Sequence, residues 1–161
     1  MTTARKTRRA IRLDLDVYGD PNRICSLTFC TFDRRRIFAK DELARVIIDI
    51  LERVSAVTGA VVHAYCVMPD HVHVVTSPSH RCDIVQLVGR IKANASRELR
   101  ARGAPERIWQ RGFWDHFLRR DEAVERVAAY VVENPVRAAL VRCRDAYPYW
   151  GGVAVGGLRA S

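Results

Sequence analysis

His71-Val72-His73 is the sharpest chemical signal in the chain. Side chains on a strand alternate between faces, so the two histidines share one face while Val72 and Val74 share the other. Two imidazoles about 6–7 Å apart along one strand face can chelate one divalent ion. The same spacing also occurs where two polar residues simply line an exposed strand. Further on, Tyr130 and Asn134 stand four apart in a segment where Val124, Val127, Ala128 and Val131 recur at helical spacing. A period of 3.6 puts both on one flank of that apolar stripe, roughly 70–110° from its centre. Packed on a sheet, such a helix would aim a phenol and an amide at the histidines. The alternative is a half-buried tyrosine and an asparagine that ends a helix before Pro135.

The elements that must position these groups follow from periodicity. Residues 24–32 and 60–67 read as strands, and 71–76 as a third strand, separated from the second by a Met68-Pro69-Asp70 turn. Leu43, Val46, Ile47, Ile50, Leu51 and Val54 predict a helix over 41–58, with Asp41 and Glu42 at its start and Gly59 after its end. Ile84, Leu87, Val88, Ile91, Ala95 and Leu99 predict another over 82–102. A fourth strand is expected around 113–118 and a third helix over 121–133. The resulting order predicts an α+β, ferredoxin-like (RRM-like) antiparallel sheet with helices on one face and an added C-terminal helix. The expected organisation is a basic N-terminal arm over 1–22, a single domain over 23–150 and a flexible tail over 151–161.

With 161 residues, 48% of them hydrophobic, the chain can build one core and is not expected to be disordered. Its apolar runs fall far short of the ~20 residues that span a membrane, and no apolar signal segment follows the basic N-terminus. The five cysteines show no C-x-x-C spacing, which fits ordinary thiols in a reducing cytoplasm. Lys+Arg is 27 against 18 Asp+Glu, a net charge of +9 that points to a polyanion such as nucleic acid. Arg5, Lys6, Arg8, Arg9 and Arg12 precede the first acid, and residues 90–120 interleave basic side chains with Trp109, Phe113, Trp114 and Phe117. Arginines neutralise phosphates while rings stack on unpaired bases. The competing reading is a solvated helix face beside core aromatics.

The run Ala64-Tyr65-Cys66-Val67-Met68-Pro69-Asp70-His71-Val72-His73 resembles the metal motif of HUH (His-hydrophobic-His) single-tyrosine transposases. The run from Tyr130 through Asn134-Pro135-Val136-Arg137 to Val141 resembles their tyrosine helix. Trp109-Gln110-Arg111, the aromatic stretch 113–117 and the Asn-Pro-Val-Arg sequence look most like the REP-associated tyrosine transposase branch. The resemblance covers about residues 23–148. It implies a metal-dependent endonuclease and strand transferase acting on single-stranded or hairpin DNA, with Tyr130 as nucleophile. His71, His73 and Asn134 match the ligands of a magnesium or manganese ion. Asn134 stands where insertion-sequence relatives often carry Gln, and Asp70 where Asn is frequent.

A tyrosine hydroxyl, with a pKa of about 10, is a poor nucleophile at neutral pH. A metal on the scissile phosphate would offset this by withdrawing charge. Attack would leave a 5′-phosphotyrosine and a free 3′-OH, conserving the bond energy for resealing. Contacts to DNA are expected from Arg12, Arg34, Arg90, Lys92, Arg97, Arg111, Trp114, His116 and Arg137. The resemblance favours a cytoplasmic monomer over a homodimer, with no membrane partner. Two other readings stay open: a non-catalytic nucleic-acid-binding module on the same fold, and a hydrolase in which the histidine pair activates water.

Overall fold

Alternating valines and polar residues build the centre of the sheet. The computed structural model describes residues 13–156. Strands β2 (Val61–Met68) and β3 (His71–Ser77) are joined only by Pro69 and Asp70, and pair with Met68 opposite His71 and Cys66 opposite His73. Strand β1 (Cys25–Cys30) pairs with the other side of β3, setting Cys30 opposite His71 and Thr28 opposite His73. Strand β4 (Trp114–Phe117) joins β1, and β5 (Trp150–Gly151) joins β2. The sheet runs β4-β1-β3-β2-β5, antiparallel throughout, with the first four strands in the expected ferredoxin-like order.

The two faces are covered differently. Helices α2 (Asp41–Thr58) and α3 (Ile84–Ala101) bury Ile47, Leu51, Leu87 and Ile91 against Leu27, Phe29, Val72 and Val74. Each such aliphatic side chain contributes about 1.5–3 kcal/mol on burial. Asp83 and Gln86 form a reciprocal capping box at the start of α3. The opposite face carries Ala64, Cys66, Met68 and Val75, and these pack under Ala128, Val131 and Val132 of helix α4 (Val124–Val132). The tyrosine-bearing helix therefore lies on the histidine face and covers its β2–β3 half. Strand alternation leaves Ser26, Thr28, Trp114 and His116 along the remaining half.

Several expectations need correction. The arm does not extend to 22: a short helix α1 (Leu15–Gly19) buries Tyr18, whose hydroxyl donates to Asp115 at 2.7 Å and whose ring meets Phe117 edge-on. Arg12 and the basic residues before it lie outside the described residues. Nor does a loose tail begin at 151, because Gly151 is part of β5 and Gly152 is buried at φ +126°. A Cβ on Gly152 would lie 2.4 Å from the backbone of both His63 and Ala64, so only glycine permits this approach. The expected helix over 121–133 starts at Val124 and ends at Val132, with a separate turn, α5 (Asn134–Arg137), after it. Pro135 has no N–H to continue the ladder onto the Val131 carbonyl. The side-chain amide of Asn134 takes that carbonyl instead, at 2.9 Å.

The aromatic side chains of the 90–120 stretch are mostly structural. Trp109, Phe113 and Phe117 pack against the core, whereas Trp114 is 38% exposed. All five cysteines are free thiols.

Candidate active site

His71 and His73 project from β3 with their Nε2 atoms 3.0 Å apart. Each ring is held from behind through Nδ1. His71 Nδ1–H donates to the Asp70 carboxylate at 2.6 Å, and His73 Nδ1 pairs with the Thr28 hydroxyl at 2.9 Å. The Asp70 carboxylate can only accept, so it fixes the His71 tautomer that leaves Nε2 free as a ligand, while the Thr28 hydroxyl orients the His73 ring. Two nitrogens bound to one ion at ~2.1 Å and near a right angle would lie about 3 Å apart. In the tautomers that leave both Nε2 atoms unprotonated, their lone pairs repel at this distance, and a cation between them would remove that repulsion. The pair therefore fits a divalent ion. Among the described residues no group of three or more His, Cys, Asp and Glu side chains is arranged to hold one. Further ligands must come from other donors, such as an amide or a substrate phosphate.

The turn bearing Asp70 is pinned. Thr31 N–H donates to the Asp70 carbonyl at 2.9 Å, and Phe38 N–H to that of Pro69 at 2.9 Å. Arg34 pairs with the second Asp70 oxygen at 2.8 Å and reaches Cys30 Sγ at 3.0 Å. Arg34 and its neighbour Asp33 both sit in the left-handed region, at φ 57° and 52°. Non-glycine residues adopt that conformation at a cost of order 1 kcal/mol each, typically where a side chain has a set task.

Tyr130 is 63% exposed on α4. The Arg137 guanidinium lies 3.6 Å from its ring centroid, donates to the Tyr130 carbonyl at 2.7 Å, and donates to Asn134 Oδ1 at 2.6 Å. One arginine thus clasps both residues expected to act. The Asn134 oxygen, expected as a third metal ligand, accepts its bond from this arginine.

Charge links the two halves of the site. Burial pushes His73 down to about 3, aided by the positive charges of Arg137 and Arg34 and by coupling to His71. Burial lowers His71 as well, with Asp70 pulling the other way. Both rings are neutral near pH 7, the form that binds metal. The nearby arginines give the site a positive field suited to phosphate.

The remaining expected DNA contacts divide. Trp114 stands opposite Thr28, and Thr28 opposite His73, so the three lie in one row on the histidine face. His116 is two residues along β4 on that face and bonds Glu122 at 3.2 Å. Arg111 is exposed in the loop before β4. Arg90 and Arg97 sit on α3, behind the sheet and opposite the histidines; Arg90 lines a cavity of about 300 Å³ between α2 and α3 with Arg53, Val57 and Asn94. Lys92 is half-buried on α3, and its ammonium donates to the Gln110 and Gly112 carbonyls at 3.0 and 2.5 Å, bracing the loop before β4. Sequence reasoning missed Thr28 as the support of His73. It placed Asp70 only in the turn before the histidine strand.

A Haemophilus influenzae protein named as a REP-associated tyrosine transposase is 28% identical over 97 residues, 53% of this chain. That match spans 55% of the relative, so the chain covers about half its length. The solved structure of a REP-associated tyrosine transposase bound to a REP hairpin superposes with a TM-score of 0.68 at 22% identity, covering 90% of this chain and 81% of the other. A transposase structure from Deinococcus radiodurans gives 0.51 at 20% identity, covering 83% and 97%. At these identities the structural likeness is one of fold. The family model described as "Transposase IS200 like" matches residues 22–134, from just before β1 to the Asn134 that follows the tyrosine helix. Most of the chain, with the histidine strand and the tyrosine helix inside the match, thus belongs to the IS200-like transposase family.

Proposed function

We propose that the chain cuts and rejoins single-stranded DNA next to a hairpin or palindrome, with Tyr130 as the nucleophile. The observation that carries this reading is the convergence of His71 and His73 Nε2 on the sheet face that helix α4 covers. His71, His73 and, after release from Arg137, Asn134 would hold a magnesium or manganese ion. Such an ion, when bound, supplies Lewis-acid polarisation of the scissile phosphate. Asp70 and Thr28 keep the imidazoles aimed. Arg137 orients the Tyr130 ring and offers donors to a phosphate oxygen. The Tyr130 oxygen bonds to phosphorus, the bond from phosphorus to the 3′ oxygen breaks, and the hydroxyl proton ends on that leaving oxygen. A 5′-phosphotyrosine and a 3′-OH result, and attack by a second 3′-OH restores Tyr130. Because α4 lies over the histidine face of its own chain, the reading favours a monomer that acts within one subunit.

The test is a denaturing protein gel after incubation with labelled hairpin DNA and manganese. A labelled adduct in the native chain that is lost in Tyr130→Phe is expected. Cleavage by both proteins without an adduct would point to metal-activated water. Binding by a metal-loaded chain without cleavage would point to a binding module.

A further inference from the structure

A second basic surface lies at the end of the sheet where the histidine strand begins. Two segments build it, 32–36 and 106–111. They are stitched together by an isolated bridge between Thr31 and Trp109 and by a bond from Phe32 N–H to the Ile108 carbonyl at 2.8 Å. Between them they carry Arg34, Arg35, Arg36, Arg107 and Arg111 against Asp33 and Glu106. The left-handed turn at Asp33 and Arg34 fans three consecutive arginines toward different neighbours. Arg34 goes to Asp70, Arg35 lies 5.5 Å from the Phe32 ring centroid, and the charge of Arg36 acts on Tyr147 on the histidine face. Arg107 covers Phe32 from the other segment at 3.9 Å. Arg35, Arg36 and Arg107 are exposed. A guanidinium laid on a ring keeps its edge N–H groups turned outward, ready to grip a phosphate. Only one relay, Arg34 to Asp70 to His71, separates this rim from the histidine pair.

We propose that this rim, Phe32 with Arg35, Arg36 and Arg107, holds the unpaired strand that leads into the histidine site. The occupant is single-stranded DNA. Unpaired bases expose π faces that the Phe32–arginine layer can cover, whereas a duplex exposes only base edges there. The assignment rests on the strand-transfer reading and adds to it the residues that distinguish a single strand from a hairpin stem.

The test uses the full chain carrying Tyr130→Phe, so that the DNA stays intact. Fluorescence anisotropy compares a blunt hairpin with the same hairpin bearing a single-stranded extension, over a salt series with manganese present. Arg35→Gln with Arg107→Gln is expected to weaken binding of the extended hairpin by about tenfold or more. The blunt hairpin should bind as before. The salt slope for the extended DNA should fall by about 1.4, for two phosphate contacts at ~0.7 each. Arg35→Lys with Arg107→Lys should restore most of that slope. An extension that adds no affinity to the unaltered rim, an equal loss on both DNAs, or an unchanged slope would each overturn the assignment. The strand-transfer reading fails separately, on the absence of a tyrosine adduct.

Discussion

Replacing Asp70 isolates the support of the metal site from the fold around it. Its carboxylate accepts from His71 Nδ1–H at 2.6 Å and from Arg34 at 2.8 Å, while its backbone carbonyl holds Thr31. Asp70→Ala therefore removes the acceptor that orients His71 but keeps the backbone latch of the turn. Losing such an outer partner typically lowers metal affinity about 10–100-fold, or roughly 1.4–2.7 kcal/mol. Asp70→Asn keeps an acceptor oxygen and loses the charge, so it belongs near the lower end of that range. Calorimetric titration of the full chain with manganese at pH 7.5 reads the effect directly. Arg34→Ala serves as the control, since it leaves the Asp70–His71 bond in place and should not weaken manganese binding. An Asp70→Ala chain that binds manganese as tightly as the native protein, with its melting temperature unchanged, would refute the reasoning.

Gly152→Ala forces a side chain against the His63 and Ala64 backbone at a positive φ, and should destabilise the protein by about 2–4 kcal/mol in urea unfolding; a neutral result would mean that β5 is not part of the folded sheet. His63, His71 and His73 all have folded pKa values below the usual 6.5, so the unfolded chain takes up protons first, and metal-free stability is full above pH 6.5 and falls as the pH drops through that value. With His73 down at about 3, its share of the loss between pH 6.5 and 4.5 is about 2 kcal/mol, and His73→Gln should flatten the acid limb of a stability–pH curve by that amount. Trp114→Ala removes the exposed ring in the row with Thr28 and His73, and should weaken binding of unpaired DNA by about 1–3 kcal/mol in an anisotropy titration; an unchanged Kd would take Trp114 off the DNA path.

The central hairpin was legible because its signals are local. Val72 and Val74 alternate with the histidines, and Pro69-Asp70 leaves room for nothing but a tight turn. The helix expected over 41–58 matches α2 to the residue, since Asp41 opens it and Gly59, at φ 75°, closes it. The candidate site was legible only as residue types. That Thr28 supports His73 depends on the register between β1 and β3, which brings together residues 45 positions apart in the sequence. That Asn134 takes the Val131 carbonyl and Arg137 holds its oxygen follows from Pro135 interrupting the helix, a consequence visible only in three dimensions. That Lys92 braces the loop before β4 was hidden because its charge shows in the sequence and the two carbonyls that hold it do not. Gly151 and Gly152 looked like the start of a tail because a two-residue strand is too short to show a strand period.

The most direct test of the tyrosine reading is to locate the covalent bond. The native chain is incubated with manganese and a hairpin oligonucleotide, the DNA is trimmed with nuclease, and the peptides are sequenced by mass spectrometry. A nucleotide joined through its 5′-phosphate to Tyr130, absent when both His71 and His73 are replaced, is the expected result. A nucleotide on any other residue, or cut DNA with Tyr130 unmodified at every time point, would contradict it.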